Sequence, residues 1–196
     1  MIEMDKKVLR NYLAIGLITI VAILGKLIPH LPNFSPMQSM ALLGGAYITR
    51  KYLAYILPIV LIYITDFVLN NTIYRIYYPD HEGLVFFSDY MLVVLPSILL
   101  IVALGHFFLK RFKIEQLIVT ALAGSVLFFL ITNFGSWIGA GSPYPKNITG
   151  LMQSYIAGIP FFRTSVLSTL LFTLLSFGGI EVLTNYLANR SQLVKG

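Results

Sequence analysis

The sequence contains no cysteine and very few charged residues. The absence of cysteine excludes disulfides, thiolate catalysis and Cys-ligated zinc or iron–sulfur sites. Charged residues make up 11% of the 196 positions, whereas soluble domains carry roughly 25%. The chain therefore has too little charge to cover a globular surface in water. Apolar residues reach 57% and the mean hydropathy is +0.81, which indicates an integral membrane protein.

Signatures of common enzyme chemistry are also missing. Residues 81–85 spell HEGLV rather than H-E-x-x-H, and there is no G-x-S-x-G, no Walker-type phosphate loop and no G-x-G-x-x-G after a strand. The histidines His30, His81 and His106 are spread over three segments, although His30 and His81 lie on one side and could meet. We therefore predict no enzymatic activity, no catalytic residue, no metal and no cofactor.

Apolar segments of membrane-spanning length occur five times, at residues 11–28, 52–70, 90–109, 116–133 and 164–187. A sixth segment, residues 37–49, is short, and the distribution of basic residues decides whether it crosses. If it does, one side holds ten basic residues and the other side three; if it does not, the division is six against seven. The ten are Lys6, Lys7, Arg10, Arg50, Lys51, Lys110, Arg111, Lys113, Arg190 and Lys195.

This asymmetry predicts the fold class: an all-α bundle of six transmembrane helices with both termini cytoplasmic. Residues 1–196 form a single domain in the lipid bilayer, which we expect to be the bacterial cytoplasmic (inner) membrane. The net charge of +6 then reflects topology, and no nucleic acid is expected as a partner.

The segment at 29–36, PHLPNFSP, holds three prolines and cannot be helical throughout. Ser35 suits an N-cap, Pro36 the first helical position, and Gln38 the end of an S-x-x-Q capping box. A helix from Pro36 to about Lys51 would be ~22 Å long, against a hydrocarbon core of ~30 Å. Its N-terminus would start below the outer surface and face an anionic or carbonyl group of a solute. The alternative is a tight, well-capped connection.

Two stretches on the outer side, 71–89 and 135–162, are long and aromatic, whereas the connections on the inner side are short and basic. Such loops are typical of a lid over a binding site. An interfacial belt of Tyr and Trp is the alternative interpretation.

Several polar residues lie near the ends of the predicted spans. Asn133, at the end of the fifth span, and Trp137 form a candidate ligand-orienting pair, or else a helix C-cap and an interfacial anchor. Arg163 is a bidentate donor or a headgroup anchor. Asp66 is a candidate for a charge pair with Lys26, and both Asp66 and Glu181 lie close enough to the interface to snorkel.

Small residues at helical spacing predict close helix packing. Ala41-x-x-x-Gly45 occurs in the second span and Thr120-x-x-x-Gly124 in the fifth. The partner helix is either in this chain or in another subunit.

Two segments together carry a family resemblance: PHLPNFSPMQSMALLGGAY at 29–47 and YPKNITGLMQSYIAGIPFFR at 144–163. They resemble a bacterial family of small six-helix transport proteins that is similar to the S components of energy-coupling factor (ECF) vitamin transporters, the vitamin B12 type among them. The resemblance implies an outer solute pocket closed by the first, third and fifth loops. The residues that match are His30, Pro32, Asn33, Phe34, Pro36, Tyr144, Pro145, Tyr155 and Arg163.

The resemblance also implies partners, namely a transmembrane coupling subunit and separate ATPases. The first span lacks the A-x-x-x-A motif by which S components often dock the coupling subunit. In a cobalamin-type relative without cysteine, His30 or His81 would have to coordinate cobalt.

We therefore expect a membrane subunit that binds a vitamin-like small molecule for uptake, with cobalamin-type solutes favoured. The alternatives are a non-transporting membrane scaffold and a stand-alone ion-coupled carrier. The expected substrate-binding residues are His30, Asn33, Phe34, Ser35, Asn133, Trp137, Tyr144, Tyr155 and Arg163.

Overall fold

All regular secondary structure in the described part of the chain is helical. The computed structural model describes residues 5–27, 33–77 and 83–193. In these ranges the helices are α1 (Lys6–Leu27), α2 (Met37–Tyr47), α3 (Lys51–Asn71), α4 (Ile73–Tyr77), α5 (Met91–Phe108), α6 (Ile114–Ile138) and α7 (Ile148–Leu193). Five of them (α1, α3, α5, α6 and α7) are long and apolar enough to cross a membrane. The chain is thus an all-α, multi-pass membrane protein.

The short helix α2 lies at the centre of the bundle. Its 11 residues span ~16 Å, and it packs against all five of the long helices. Every residue from Gln38 to Gly45 is buried, which matches a helix that is apolar on nearly all sides. The long helices are therefore arranged around α2.

Together with the residues on either side of it, α2 leads from one end of the bundle to the other. It begins beside α7, where Ser168 Oγ donates to the Ser35 carbonyl. It ends beside the start of α1, where the Thr49 backbone N–H donates to Asn11 Oδ1 at 2.9 Å. We call this second end the basic end, because most of the described basic residues lie there. They are Lys6, Lys7, Arg10, Arg50, Lys51, Lys110, Arg111, Lys113 and Arg190.

Two glycines bring α2 and α5 into backbone contact. A Cβ atom on Gly45 would overlap the Val102 carbonyl oxygen, and one on Gly105 would overlap the Leu42 carbonyl oxygen. Ala41, in the same predicted small-residue motif as Gly45, is fully buried. The structure thus places Ala41 and Gly45 at contacts within this chain. In α6, the predicted packing residue Gly124 faces the Ile101 side chain of α5.

The last helix is much longer than predicted. We expected a helix over 164–187 after a loop, but α7 runs without a break from Ile148 to Leu193, a length of ~69 Å for its 46 residues. Its first turns are helical because they pack on α6, with Ser154 Oγ donating to the Asn133 carbonyl at 2.8 Å. The aromatic stretch expected as a lid at 135–162 is therefore mostly helix.

Two predicted helix ends are also wrong. Because α6 continues to Ile138, Asn133 lies inside the helix and is not a C-cap. The helix predicted to reach Lys51 ends at Tyr47, and Lys51 already begins α3. The predicted capping box does not form, because Gln38 points its amide at α7 rather than at its own helix start. Ser35 does accept a hydrogen bond from the Met37 backbone N–H at 3.3 Å.

A cluster around Glu181 ties three helices together at the basic end. Arg10 of α1 donates to Glu181 Oε2 at 2.5 Å, and the Tyr47 hydroxyl at the end of α2 donates to Glu181 Oε1 at 2.5 Å. The side chains of Arg10 and Glu181 are 33% and 13% exposed. Glu181 of α7 is therefore held by two partners rather than directed only to the membrane interface.

We expect Gly45→Ala to destabilise the protein by about 1–3 kcal/mol, because the added methyl group overpacks the α2–α5 contact. The matched control is Gly16→Ala in α1, where a Cβ meets no atom within 4 Å. Because alanine has a higher helix propensity than glycine, this change should leave the free energy of unfolding the same or raise it. Thermal unfolding in detergent measures both changes. Equal melting temperatures for the two variants would contradict the close contact.

The Arg10–Glu181 pair predicts non-additive stability effects. Arg10→Met leaves Glu181 with Tyr47 as its partner but without a compensating charge, and Glu181→Gln leaves Arg10 without its carboxylate. The double variant removes both charges. We expect a coupling free energy of about 1 kcal/mol in the double-mutant cycle, modest because Arg10 is partly exposed. Thermal unfolding of the four proteins measures it, with Arg190→Met as an exposed control. Additive effects would show that the pair contributes nothing to stability.

Candidate functional site

A cleft of about 230 Å³ opens between α6 and α7, near the start of α2. We call it the α6–α7 cleft. The residues that line it are Asn33, Tyr90, Phe128, Phe129, Thr132, Asn133, Ser136, Tyr144, Ser154, Ala157, Gly158, Phe161, Phe162 and Ser165. It lies at the opposite end of α2 from the basic end.

Two helix faces form the walls of the cleft. The residues from α6 recur at positions 128, 129, 132, 133 and 136, and those from α7 at 154, 157, 158, 161, 162 and 165. Both series follow the three- and four-residue spacing of a single helix face. Gly158 lets the helices approach, because the Asn133 side-chain oxygen occupies the place of a Cβ atom on that glycine.

Side-chain hydrogen bonds to the backbone hold these walls in register. Asn133 Nδ2 donates to the Phe129 carbonyl of the same helix at 2.8 Å. Across the helix pair, Ser154 Oγ donates to the Asn133 carbonyl at 2.8 Å and Tyr155 Oη to the Leu130 carbonyl at 3.0 Å. The two walls are thus joined by hydrogen bonds within the protein.

The cleft is aromatic and carries no formal charge on the described residues that line it. Six of those residues have aromatic rings: Tyr90, Phe128, Phe129, Tyr144, Phe161 and Phe162. Hydroxyl and amide groups lie between the rings, so the surface combines apolar area with a few hydrogen-bonding groups. This combination suits a neutral ligand that contains a ring.

A short turn over residues 139–147 positions Tyr144 at the cleft. The Trp137 indole N–H donates to the Pro145 carbonyl at 2.9 Å, and Lys146 Nζ donates to the Trp137 and Gly139 carbonyls. The indole N–H is the only side-chain donor of Trp137, and it is already bonded within the turn. The structure therefore does not place Trp137 to orient a ligand through this group.

Of the nine predicted substrate-binding residues, the structure brings Asn33, Asn133 and Tyr144 together in the cleft. Asn33 is distant in sequence from the other two, which lie in α6 and in the turn directly after it. Asn33 has a φ of 59°, in the left-handed region that asparagine tolerates better than most residues.

The other predicted site residues lie elsewhere. Tyr155 packs against Phe129 with its ring tilted by 52° and does not line the cleft. Phe34 packs on Phe172, and Ser35 lines a separate cavity of about 40 Å³ between α1, α2 and α3. Arg163 is exposed on α7. His30 lies outside the described residues.

Asp66 is bound to neutral partners. It is 9% exposed and its Oδ2 accepts hydrogen bonds from Asn70 at 2.8 Å and Ser88 at 2.9 Å. The side chain of Lys26, its predicted partner, lies outside the described part. Among the residues that were described, no group of three or more His, Asp or Glu side chains could hold a metal ion.

Most of the α7 wall is not among the predicted site residues. Ser154 and Gly158 fall in the stretch 135–162 that was expected to be a loop, and Ser165 follows directly after it. The spacing of small residues and phenylalanines from 154 to 165 was the available signal, because it continues the helical period across Pro160.

Comparison with known proteins gives one match. No curated protein and no solved structure matches the chain. A family model described as a family of unknown function (DUF6580) matches residues 6–192. Since this match covers nearly the whole sequence, the chain belongs to the DUF6580 family.

Proposed function

We propose that the protein is a substrate-binding membrane subunit that takes a small, neutral, ring-containing solute into the α6–α7 cleft for uptake. The observation that carries this proposal is the convergence of Asn33, Asn133 and Tyr144 on one aromatic cleft whose described lining residues carry no charge. Asn33 precedes α2 and is distant in sequence from Asn133 in α6 and from Tyr144 in the turn after α6. The bacterial inner membrane is the proposed location.

The orientation in the membrane follows from the charge distribution. Basic residues concentrate on the cytoplasmic side of membrane proteins, so the basic end is proposed to face the cytoplasm, as do both termini. The cleft then opens on the outer side. Because α2 leads from the cleft end back to the basic end, we count it as a sixth crossing despite its short helix.

The size of the cleft narrows the solute class. A volume of about 230 Å³ lies below the ~300–1,000 Å³ of pockets for drug-sized ligands. It suits a vitamin-like molecule of one or two rings, whereas a corrinoid is far larger. We therefore propose a small-ring solute in place of the cobalamin type that the resemblance favoured.

Uptake would require energy from partners, because the sequence has no nucleotide-binding motif. In the proposed arrangement, which is like that of an ECF S component, a transmembrane coupling subunit and separate ATPases supply it. An ion-coupled carrier is less well supported, since the hydrogen bonds of Asp66 to Asn70 and Ser88 suit a structural tie.

A membrane scaffold is the second candidate, and one observation favours it. An apolar groove of about 530 Å³ runs between α1 and α7. Gly16 and Gly179 leave open space in its floor, with no atom within 4 Å of a Cβ at either position. Such a groove can receive another helix.

The proposed topology predicts opposite labelling of the two ends. Since the chain has no cysteine, single cysteines can be introduced at Thr49, in the α2–α3 connection, and at Ser142, in the α6–α7 turn. In intact cells a membrane-impermeant maleimide should label Ser142→Cys and not Thr49→Cys. Labelling of both after cell lysis is the control. The reverse pattern in intact cells would contradict the orientation.

The proposed function predicts selective thermal stabilisation. We would titrate the detergent-purified protein with vitamins that range from one-ring compounds to cobalamin and cobinamide. A ligand at 100 times its Kd stabilises the folded protein by about 2.7 kcal/mol, so a small neutral ring compound should raise the melting temperature. Cobalamin should not.

Matched variants place the binding site. Asn133→Ala and Tyr144→Ala in the cleft should abolish the stabilisation. Asn189→Ala and Tyr186→Ala, which are exposed near the basic end, should retain it. If no compound raises the melting temperature of the wild-type protein, and the four variants therefore show no shift either, the scaffold is the better hypothesis.

A further inference from the structure

The buried side chain of Gln38 bridges α2 to the cleft. Its Nε2 donates to Ser165 Oγ at 2.7 Å, and its Oε1 accepts from Thr169 Oγ1 at 3.0 Å. Ser165 lines the cleft and is 5% exposed, whereas Thr169 is 0% exposed. One amide of the central helix therefore contacts two hydroxyls of α7, one of which is at the cleft.

The direction of these two hydrogen bonds determines what Ser165 offers to a ligand. Ser165 Oγ accepts from Gln38, and its own hydrogen has no acceptor among the described residues. A reversed amide would give that hydrogen an acceptor, and the Thr169 hydroxyl, having lost Gln38 Oε1, would turn to a backbone carbonyl of its own helix. In the orientation that the structure shows, Thr169 donates to Gln38 and the Ser165 hydrogen is left for the cleft.

The other cleft hydroxyls on α6 and α7 are different. Thr132 donates to the Phe128 carbonyl at 2.8 Å, Ser136 to the Thr132 carbonyl at 3.1 Å, and Ser154 to the Asn133 carbonyl at 2.8 Å. Because their hydrogens are used by the backbone, they present only lone pairs to the cleft. Ser165 is the serine that presents a hydrogen.

We propose that Ser165, oriented by Gln38, is a specificity-determining donor that selects neutral ring compounds with a hydrogen-bond acceptor, either a carbonyl oxygen or a ring nitrogen. The inference rests on the proposed function, because it requires the cleft to bind a solute. Ser165 contacts the acceptor, and Gln38 acts through Ser165 as a positioning residue.

The test compares two probes of the same shape. Quinoline carries a ring nitrogen, and naphthalene does not. Equilibrium dialysis against matched detergent gives the Kd of each probe for the wild-type protein and for Ser165→Ala. We expect the variant to bind quinoline about 3- to 10-fold more weakly, the range of one neutral hydrogen bond. Its Kd for naphthalene should be unchanged.

Further variants separate positioning from structural damage. Gln38→Met, similar in size but without the amide, should reduce quinoline affinity and spare naphthalene, because Ser165 Oγ is then no longer held by Gln38 and can rotate to donate to a backbone carbonyl. Ser165→Thr should keep the quinoline preference. Ser97→Ala removes a buried serine of α5 whose hydroxyl donates to the Val93 carbonyl, and it should change neither Kd.

The outcomes distinguish the two proposals. If both probes bind the wild-type protein saturably but Ser165→Ala weakens them equally or not at all, the donor role of Ser165 is overturned and the cleft remains a binding site. If neither probe binds saturably, the proposed function fails, and the inference fails with it.

Discussion

The structure depends on the complete burial of one short helix. Eight consecutive residues of α2, Gln38 to Gly45, are buried by five longer helices that all pack against them. Gly45 and Gly105 allow α2 and α5 to meet backbone to backbone. In a bilayer the hydrophobic effect does not drive helices together, so close packing of this kind supplies the association energy.

Burial of α2 also requires partners for its polar side chains. Gln38 and Ser39 are buried in the bundle interior, where an unpaired polar group is costly, and α7 supplies their partners. Gln38 bonds Ser165 and Thr169, and Ser39 shares a hydrogen bond with Ser176. The polar contacts therefore fix the register of α2 against α7. They also connect the central helix with the wall of the cleft, which makes the candidate site part of the core packing.

The two ends of the bundle differ in chemistry. At the basic end, Glu181 is held by Arg10 and Tyr47, which links α1, α2 and α7 through a carboxylate. At the other end, the described residues that line the cleft are aromatic, or neutral and small or polar. An ion pair thus joins helices at one end, whereas rings and neutral donors and acceptors form the cleft at the other.

The sequence by itself determined the membrane class, the helical content and the approximate positions of five long helices, because each depends on composition or on an uninterrupted apolar run. Of the nine substrate-binding residues that it predicted, Asn33, Asn133 and Tyr144 line the cleft. The tertiary structure alone decided that α7 extends to Ile148 through Pro160, since contacts with α6 stabilise those turns. Likewise, only the structure showed that Gln38 bonds Ser165 rather than capping α2. Residues 127 positions apart meet through helix packing, which no local pattern specifies.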